Sequence, residues 1–501
     1  MKKTYWIVVI LAILVNNYAV KSADLSWNKP LLRSRFQQFI LEKNLDESLE
    51  VNKVKRADEY VWENLIGSFG NIFDSTDQSN IIHHNFQKPK AYFDLSFYAG
   101  IDYQKNSEDV LSYYNYAVLL SGKVQEHLSY YANWYMGEVN ELNSLSNSYA
   151  LADTWRQPSD DGFYIDNLTA KIQYDTPIGD FAIGRGKFEV GSNISGSIIL
   201  NDQLNDYGYF SHKLKLDNFE LSFLHTTLIV DNTFADSMYA ESGLNDLPNA
   251  NKKMEEKHFA MHILKWNPSE ELQFFAGEQV VYGGRSTDIS YLLPHTFMRV
   301  TEHNLNNRDN VLIFAGMDWD IAKGNSIYAN LMLDELSKTK LFTNWWANKW
   351  AFQIGDSQKF GVRDSRVTAE FTAVRPWMYT HNVLTNKYSH EDHCLGYRNG
   401  SNILQYTVEL NLDLHDRYAL DLQSSYSRQG TLGNNYSINY DSRTSDEASW
   451  LEGDITDTFS AGAVLTCRFN QHNTLKLGYG LGQVRGDDSE GNVSISYQMI
   501  Y

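Results

Sequence analysis

The chain has 501 residues, and its 43 Lys+Arg against 62 Asp+Glu give a formal net charge of −19. That balance argues against a nucleic-acid binder, and two cysteines, Cys394 and Cys467, cannot build a disulfide framework in a chain this long. Aromatic residues make up 14%, with 32 Tyr and 12 Trp, a composition suited to surfaces that are half apolar and half wet. The mean hydropathy of −0.44 fits a soluble chain, and equally a transmembrane barrel whose strands each turn one face to water.

The chain starts on a basic Met1-Lys2-Lys3, followed by an apolar run from Trp6 to Val15 and a small residue, Ser22, before Ala23. This pattern predicts a secretory signal peptide over 1–22, too short to span a bilayer. No later stretch is long and apolar enough for a transmembrane helix. Helical periodicity occurs only near the start. Leu32, Phe36, Phe39 and Ile40 share one helix face, and Val54, Ala57, Val61 and Leu65 share another. We place a small helical region at 29–75, within a periplasmic segment 23–88.

From residue 89 to 501 the period is two. Leu404, Tyr406, Val408, Leu410, Leu412 and Leu414 alternate with Gln405, Thr407, Glu409, Asn411 and Asp413. About eighteen such segments of roughly ten residues follow one another, centred near 96, 118, 131, 169, 184, 210, 224, 261, 276, 315, 331, 352, 372, 408, 422, 462, 478 and 496. Their connections alternate between short turns, such as Thr176-Pro177-Ile178-Gly179 and His415-Asp416-Arg417, and long polar loops near 138–162, 190–204, 231–255, 283–310, 380–401 and 428–454. Short turns at one rim and long loops at the other predict an all-β fold: a transmembrane antiparallel β-barrel in the outer membrane, both chain ends on the periplasmic side. Soluble β-sandwiches would not give this alternation in loop length, and a β-helix would show repeats.

Side-chain parity predicts which residues face the lumen. Gly316, Asp318 and Asp320 oppose Val311, Ile313, Ala315, Met317 and Trp319, and Tyr328, Asn330 and Asp334 oppose Ile327, Ala329, Leu331 and Leu333. Charge is costly against lipid, so Arg185, Lys187, Asp318, Asp320 and Asp334 are read as a lumenal polar cluster. Such a cluster either crosslinks the lumen or lines a pore. His258 and His262 lie about 13 Å apart on a strand, too far to share a metal ion, and read as polar lumen residues. Ser389-His390-Glu391-Asp392-His393-Cys394 is a single cluster without a second half. No nucleophile elbow, phosphate loop or HExxH motif occurs. We expect no catalysis, no cofactor and no resident metal.

The stretch FAIGRGKFEVGSNISGSIILNDQLND at 181–206 resembles the Gly-Arg segment of the Wzi capsule-assembly family at Gly184, Arg185, Gly191 and Asp202, with Val190 where the family has tryptophan. Pro294, Glu302, Asp309, Asn310, Gly316, Asp318 and Asp334 resemble further family positions. So do Asn348, Lys349, Glu370, Arg375, Pro376, Tyr379, His381, Tyr388, His390, Leu395 and Gly396. The resemblance implies an eighteen-stranded outer-membrane barrel with a small periplasmic helical bundle. It also implies a non-catalytic, lectin-like role in holding capsular polysaccharide or exopolysaccharide at the cell surface. The sugar-facing surface is then expected on the loops at 283–310 and 380–401, through Tyr291, His295, Arg299, Tyr388, His390, Tyr397 and Arg398. The competing reading is an outer-membrane porin or substrate-specific channel. The closing run NVSISYQMIY alternates to Tyr501, as a last strand sealed against the first would. Its terminal aromatic resembles the signal read by the outer-membrane assembly machinery, an expected partner alongside membrane lipid.

Overall fold

Period-two alternation becomes eighteen barrel strands: β1 (Ala91–Lys105), β2 (Val110–Val124), β3 (Leu128–Asn140), β4 (Gly162–Thr176), β5 (Gly179–Gly186), β6 (Tyr207–Leu216), β7 (Phe219–Leu228), β8 (Lys257–Ser269), β9 (Leu272–Gly283), β10 (Asn310–Ala322), β11 (Asn325–Glu335), β12 (Lys349–Phe360), β13 (Ser365–Val374), β14 (Ile403–His415), β15 (Tyr418–Gly430), β16 (Ile455–Arg468), β17 (Asn473–Val484) and β18 (Glu490–Ile500). The computed structural model describes residues 82–86, 91–125, 127–140, 155–158, 162–230, 256–306, 309–335, 339–340, 343–361, 363, 365–391, 393–470, 472–485 and 489–500. The expected signal peptide, the helices at 29–75 and Tyr501 lie outside these residues.

Each strand pairs antiparallel with its sequence neighbour. β18 closes on β1 from Tyr98↔Ile500 to Lys105↔Val493. The short strand Ile82–Phe86 continues that same edge of β1 beyond β18, and Trp155–Pro158 extends β4 beyond β5. Closure satisfies the backbone groups that lipid cannot, so the sheet has no free edge in the membrane. Val493, Ile495 and Tyr497 point outward while Asn492 and Ser496 are buried inside, the parity expected of the final strand. The barrel, its strand number and its outer-membrane placement are as the alternation predicts.

Two-residue turns such as Ile178 with Pro177 and Asp217-Asn218 join strands at one rim, where both ends of the barrel also lie. The long loops 187–206, 284–309, 375–402 and 431–454 leave the opposite rim. By the usual barrel orientation that rim is extracellular. Ile172, Ile183, Leu264, Trp266, Phe274, Tyr406 and Tyr479 form part of the apolar outer band.

The inner face differs around the circumference. From β5 to β13 Tyr209, Leu224, Phe259, Met261, Phe275, Phe314 and Met332 project inward and join one buried cluster with loop residues, beside the polar Gln279, Asn330, Gln353 and Glu370. From β14 to β16 it carries Gln405, Thr407, Gln423, Ser425, Ser427, Gln429, Thr458 and Ser460 instead. A porin lumen is polar and water-filled. Here one sector of the lumen is a packed core.

Candidate functional site

Loop 187–206 fills that sector. It leaves the wall between β5 and β6 and crosses the lumen. Glu370 on β13 accepts from Ile194 N (2.8 Å), Ser195 N (3.1 Å) and the Ser195 hydroxyl. Tyr328 on β11 donates to the same carboxylate at 2.6 Å. Asn330 donates to Ser192 O at 2.8 Å, and Gln353 on β12 to Gly196 O at 3.0 Å. Gln423 on β15, half the circumference from the loop's root, reaches Ile194 O at 3.2 Å. Gly191 (φ 87°) and Gly196 (φ 102°) make the turns. A Cβ at Gly191 would meet Asn330 Oδ1 at 2.7 Å, so both backbone and space require glycine there. Val190, Ile198, Ile199, Leu200 and Leu204 then pack into the apolar cluster.

Loop 375–402 closes over this plug. Tyr379 donates to Ile198 O at 2.8 Å, Tyr388 to Ile199 O at 2.6 Å and Tyr397 to Ser195 Oγ at 3.1 Å. Asn201 Nδ2 donates to Cys394 O (2.8 Å) and to Gly396 O. Ser389–His390 and His393–Cys394 form a small hairpin inside the barrel mouth. Its groups serve packing. Ile229 N donates to His390 Nδ1 at 3.1 Å. Burial, with Lys257 and Arg185 nearby, pushes the His390 imidazole down to about 3. Burial pushes the Cys394 thiol up to about 12. Both groups are therefore neutral at physiological pH, poor candidates for charge-based binding or thiolate chemistry.

Between this filled sector and the polar wall of β14–β16 a cavity of about 520 Å³ remains, lined also by Arg398, Asn399, Asn434 and Tyr436 from the loops. Its lining is hydrogen-bonded into place. Gln429 Nε2 donates to Asn399 O (2.9 Å) and Ser401 O (3.0 Å), Asn399 Nδ2 to Gln405 Oε1 (2.8 Å), and Ser425 shares a bond with Ser460 (2.7 Å). Amide and hydroxyl side chains both donate and accept. The volume lies in the range of small-molecule sites. At the long-loop rim Trp345, Trp346 and Tyr440 form an aromatic group, whereas Trp350, opposite the outward-facing Leu333, meets Trp450 edge-on outside the wall. Arg443 lies 3.8 Å from the Trp346 ring centroid and Lys349 4.9 Å from that of Tyr440.

The residues expected from sequence fall out unevenly. Tyr291, Tyr388, His390 and Tyr397 are buried, each tyrosine hydroxyl already bonded within the protein. His295 is exposed and Arg299 partly so, but both sit on a loop that packs outside the barrel. Of the seven, Arg398 alone lines the cavity. Asp318 and Asp334 do face in, and Asp320 opens to water near the short-turn rim. Asp334 bonds Tyr379 N (2.9 Å) and pairs with Lys349 (3.6 Å). Asp318 lies at another level, opposite Tyr328. Lys187 holds Leu204 O at 2.9 Å inside the plug loop.

Arg185 is a correction: it shares the exposed face with Ile183. It stands at the loop end of β5, where a charge costs far less than at mid-membrane. His258 and His262 are a second correction, because both project from the outer face of β8. The parity is fixed by Lys257, whose Nζ reaches Ser389 inside the barrel at 2.9 Å. The cavity glutamines and serines and the rim tryptophans were missed. On the strands the former look like any wet face. Only the Trp345-Trp346 pair carried a visible signal.

No protein-family model matches the chain, and no curated protein matches it. Among solved structures, Wzi superposes with a TM-score of 0.54 at 11% identity, over 96% of this chain and 95% of that one. It is described as an Escherichia coli outer-membrane protein involved in Group 1 capsule assembly and as a carbohydrate-binding β-barrel. OpdK of Pseudomonas aeruginosa, solved with vanillate, gives 0.48 at 9% identity over 82% of this chain and 98% of that one. OccAB4 of Acinetobacter baumannii gives 0.47 at 9% identity over 82% and 98%. At these identities the likeness is one of fold.

Proposed function

We propose that this outer-membrane barrel attaches or organises polysaccharide at the cell surface without catalysing a reaction. The observation that carries the reading is the division of the lumen. One sector is packed by loop 187–206, held across the barrel by Glu370. The other leaves an amide- and hydroxyl-lined cavity toward the long-loop rim. A packed lumen is poorly suited to diffusion. A cavity of donors and acceptors suits sugar hydroxyls, and Trp345, Trp346 and Tyr440 at the long-loop rim suit sugar faces. The likeness in fold to a barrel described as carbohydrate-binding agrees with this reading. Arg398 adds one cationic donor, which an acidic sugar residue would use. Each contact is weak, and retention would come from many sites along a repeating polymer.

The test uses the full protein in nanodiscs and polysaccharide purified from the native host. Co-sedimentation is expected with the intact protein. Gln429→Ala and Gln405→Ala, both in the cavity lining, should reduce it while the barrel stays heat-modifiable on gels. If the intact protein leaves the polymer in the supernatant and conducts ions steadily in planar bilayers, the attachment reading fails and a channel takes its place.

A further inference from the structure

The segment 284–306 runs neither into the lumen nor over the mouth. It folds back down the outer face of the wall. A 3-10 turn at Ile289–Leu292 and the short helix α1 (Met298–Asn304) carry it. Tyr291 and Met298, with Leu305 beside them, pack on Ala260 of β8, Val280 and Tyr282 of β9, and Val311 of β10. These strand positions face outward, because their neighbours Phe259, Val281 and Leu312 belong to the interior cluster.

The segment is tied at both ends. Arg285 makes a two-pronged bond to Asp309 (2.8 and 2.7 Å), and Tyr291 donates to Asp309 at 2.8 Å. Lower on the wall, Met298 N donates to Glu278 Oε2 at 2.5 Å, and His262 lies 3.8 Å from the same carboxylate. Glu278 stands on the outer face in the same row as Ile313, which is open to the surroundings of the barrel. A bare carboxylate at that level would cost a few kcal/mol against lipid. The segment covers it. Its own far side carries Ile289 (75% exposed), Leu293 (45%), Phe297 (70%) and Val300 (56%).

We propose that residues 284–306 form a membrane-embedded flap, whose Ile289, Leu293, Phe297 and Val300 contact the acyl chains of the outer leaflet. The occupant follows from continuity. The flap's apolar side adjoins Ile313 on β10, and Leu264 and Phe274 lie toward the other rim, all parts of the band that meets lipid. An amphipathic segment with one apolar side on the wall and another facing away replaces a locally polar wall with a lipid-compatible one. This inference does not depend on polysaccharide binding.

The experiment attaches an environment-sensitive fluorophore to Phe297→Cys in a Cys467→Ser background, Cys394 being buried. The protein is placed in nanodiscs of phosphatidylcholine with and without brominated acyl chains. Ile183→Cys serves as a lipid-facing control and Ser445→Cys as an aqueous one. The probe at 297 is expected to lose fluorescence in brominated discs as the 183 probe does, and to resist aqueous iodide. Behaviour like the 445 probe overturns the proposal. So does insensitivity to both quenchers, which would mean that protein covers the flap. Val300→Cys provides a second reading should the 297 variant lose its heat-modifiable mobility.

Discussion

Two loops leave the same rim and end on opposite sides of the wall. Loop 187–206 enters the barrel, whereas 284–306 lies on its outside. Their compositions explain the difference. The first is rich in small and hydroxyl residues around Ile198-Ile199-Leu200. Its backbone N–H groups donate to Glu370 and its carbonyls accept from Gln353 and Gln423, groups that the lumen supplies. The second is apolar on two sides, and its few backbone needs are met by Glu278 and its own turns. A loop that must satisfy many polar backbone groups is stable inside a polar barrel. A loop that offers apolar surface in two directions is stable between wall and lipid.

The largest expected effect comes from the plug's anchor. Glu370→Ala removes the acceptor for two amides and two hydroxyls and should cost about 3–4 kcal/mol, since bonds to a buried charged group are worth about 1.5–3 kcal/mol each and are not additive. Planar-bilayer recordings should show openings absent from the parent, with the flap undisturbed. Unchanged conductance would mean that the plug does not depend on this carboxylate. Met298→Asp attacks the other loop, placing a carboxylate in a buried apolar contact beside Glu278. A loss of about 3 kcal/mol is expected. In bilayers, protease should then cut within 289–304 while conductance stays at the parental level. Cleavage equal to the parent's would show that this contact does not hold the flap.

Most of the barrel was legible because lipid leaves little choice: exposed apolar side chains and closed backbone bonding force period two in every strand. The same rule failed where a loop changed the environment. His258 and His262 read as lumenal because polar residues were assigned inward, yet the 284–306 segment makes a sheltered polar strip on the outside. Arg185 failed for a related reason, since the assignment ignored its place at a strand end. Tyr388 and Tyr397 look like sugar-stacking aromatics in sequence, but their hydroxyls are bonded to the plug. Loop composition does not say which strand across the barrel will offer the matching partner. Glu370 and Ser195 meet across 175 residues of chain.

Smaller tests sharpen the same comparison. Gly191→Ala forces a side chain into left-handed backbone against Asn330 and should lower thermal stability by about 1–2 kcal/mol. Gly284→Ala, also at positive φ but with open space around it, should cost less. If the two cost the same, the close packing of the plug on β11 is not what makes Gly191 special. Acid should loosen the lumenal loops. His390 is held near 3 in the fold against an ordinary 6.5. Above pH 6.5 the ring is neutral in both states and adds no pH dependence. Between 6.5 and about 3 the unfolded chain takes up a proton that the fold refuses, so stability falls with pH by at most about 1.4 kcal/mol per unit. His390→Gln should flatten that slope in melts recorded from pH 7 to 4. An unchanged slope would assign the acid sensitivity to other groups.

The proposed retention of polymer sets this barrel apart from one that conducts solute. It is tested most directly by deleting the gene in the native host and measuring cell-bound and released polysaccharide in the same culture. Retention predicts unchanged total polymer with a fall in the bound fraction and a matching rise in the medium, reversed by the intact gene. A bound fraction equal to that of the parent, or a fall in total polymer with none released, would contradict it.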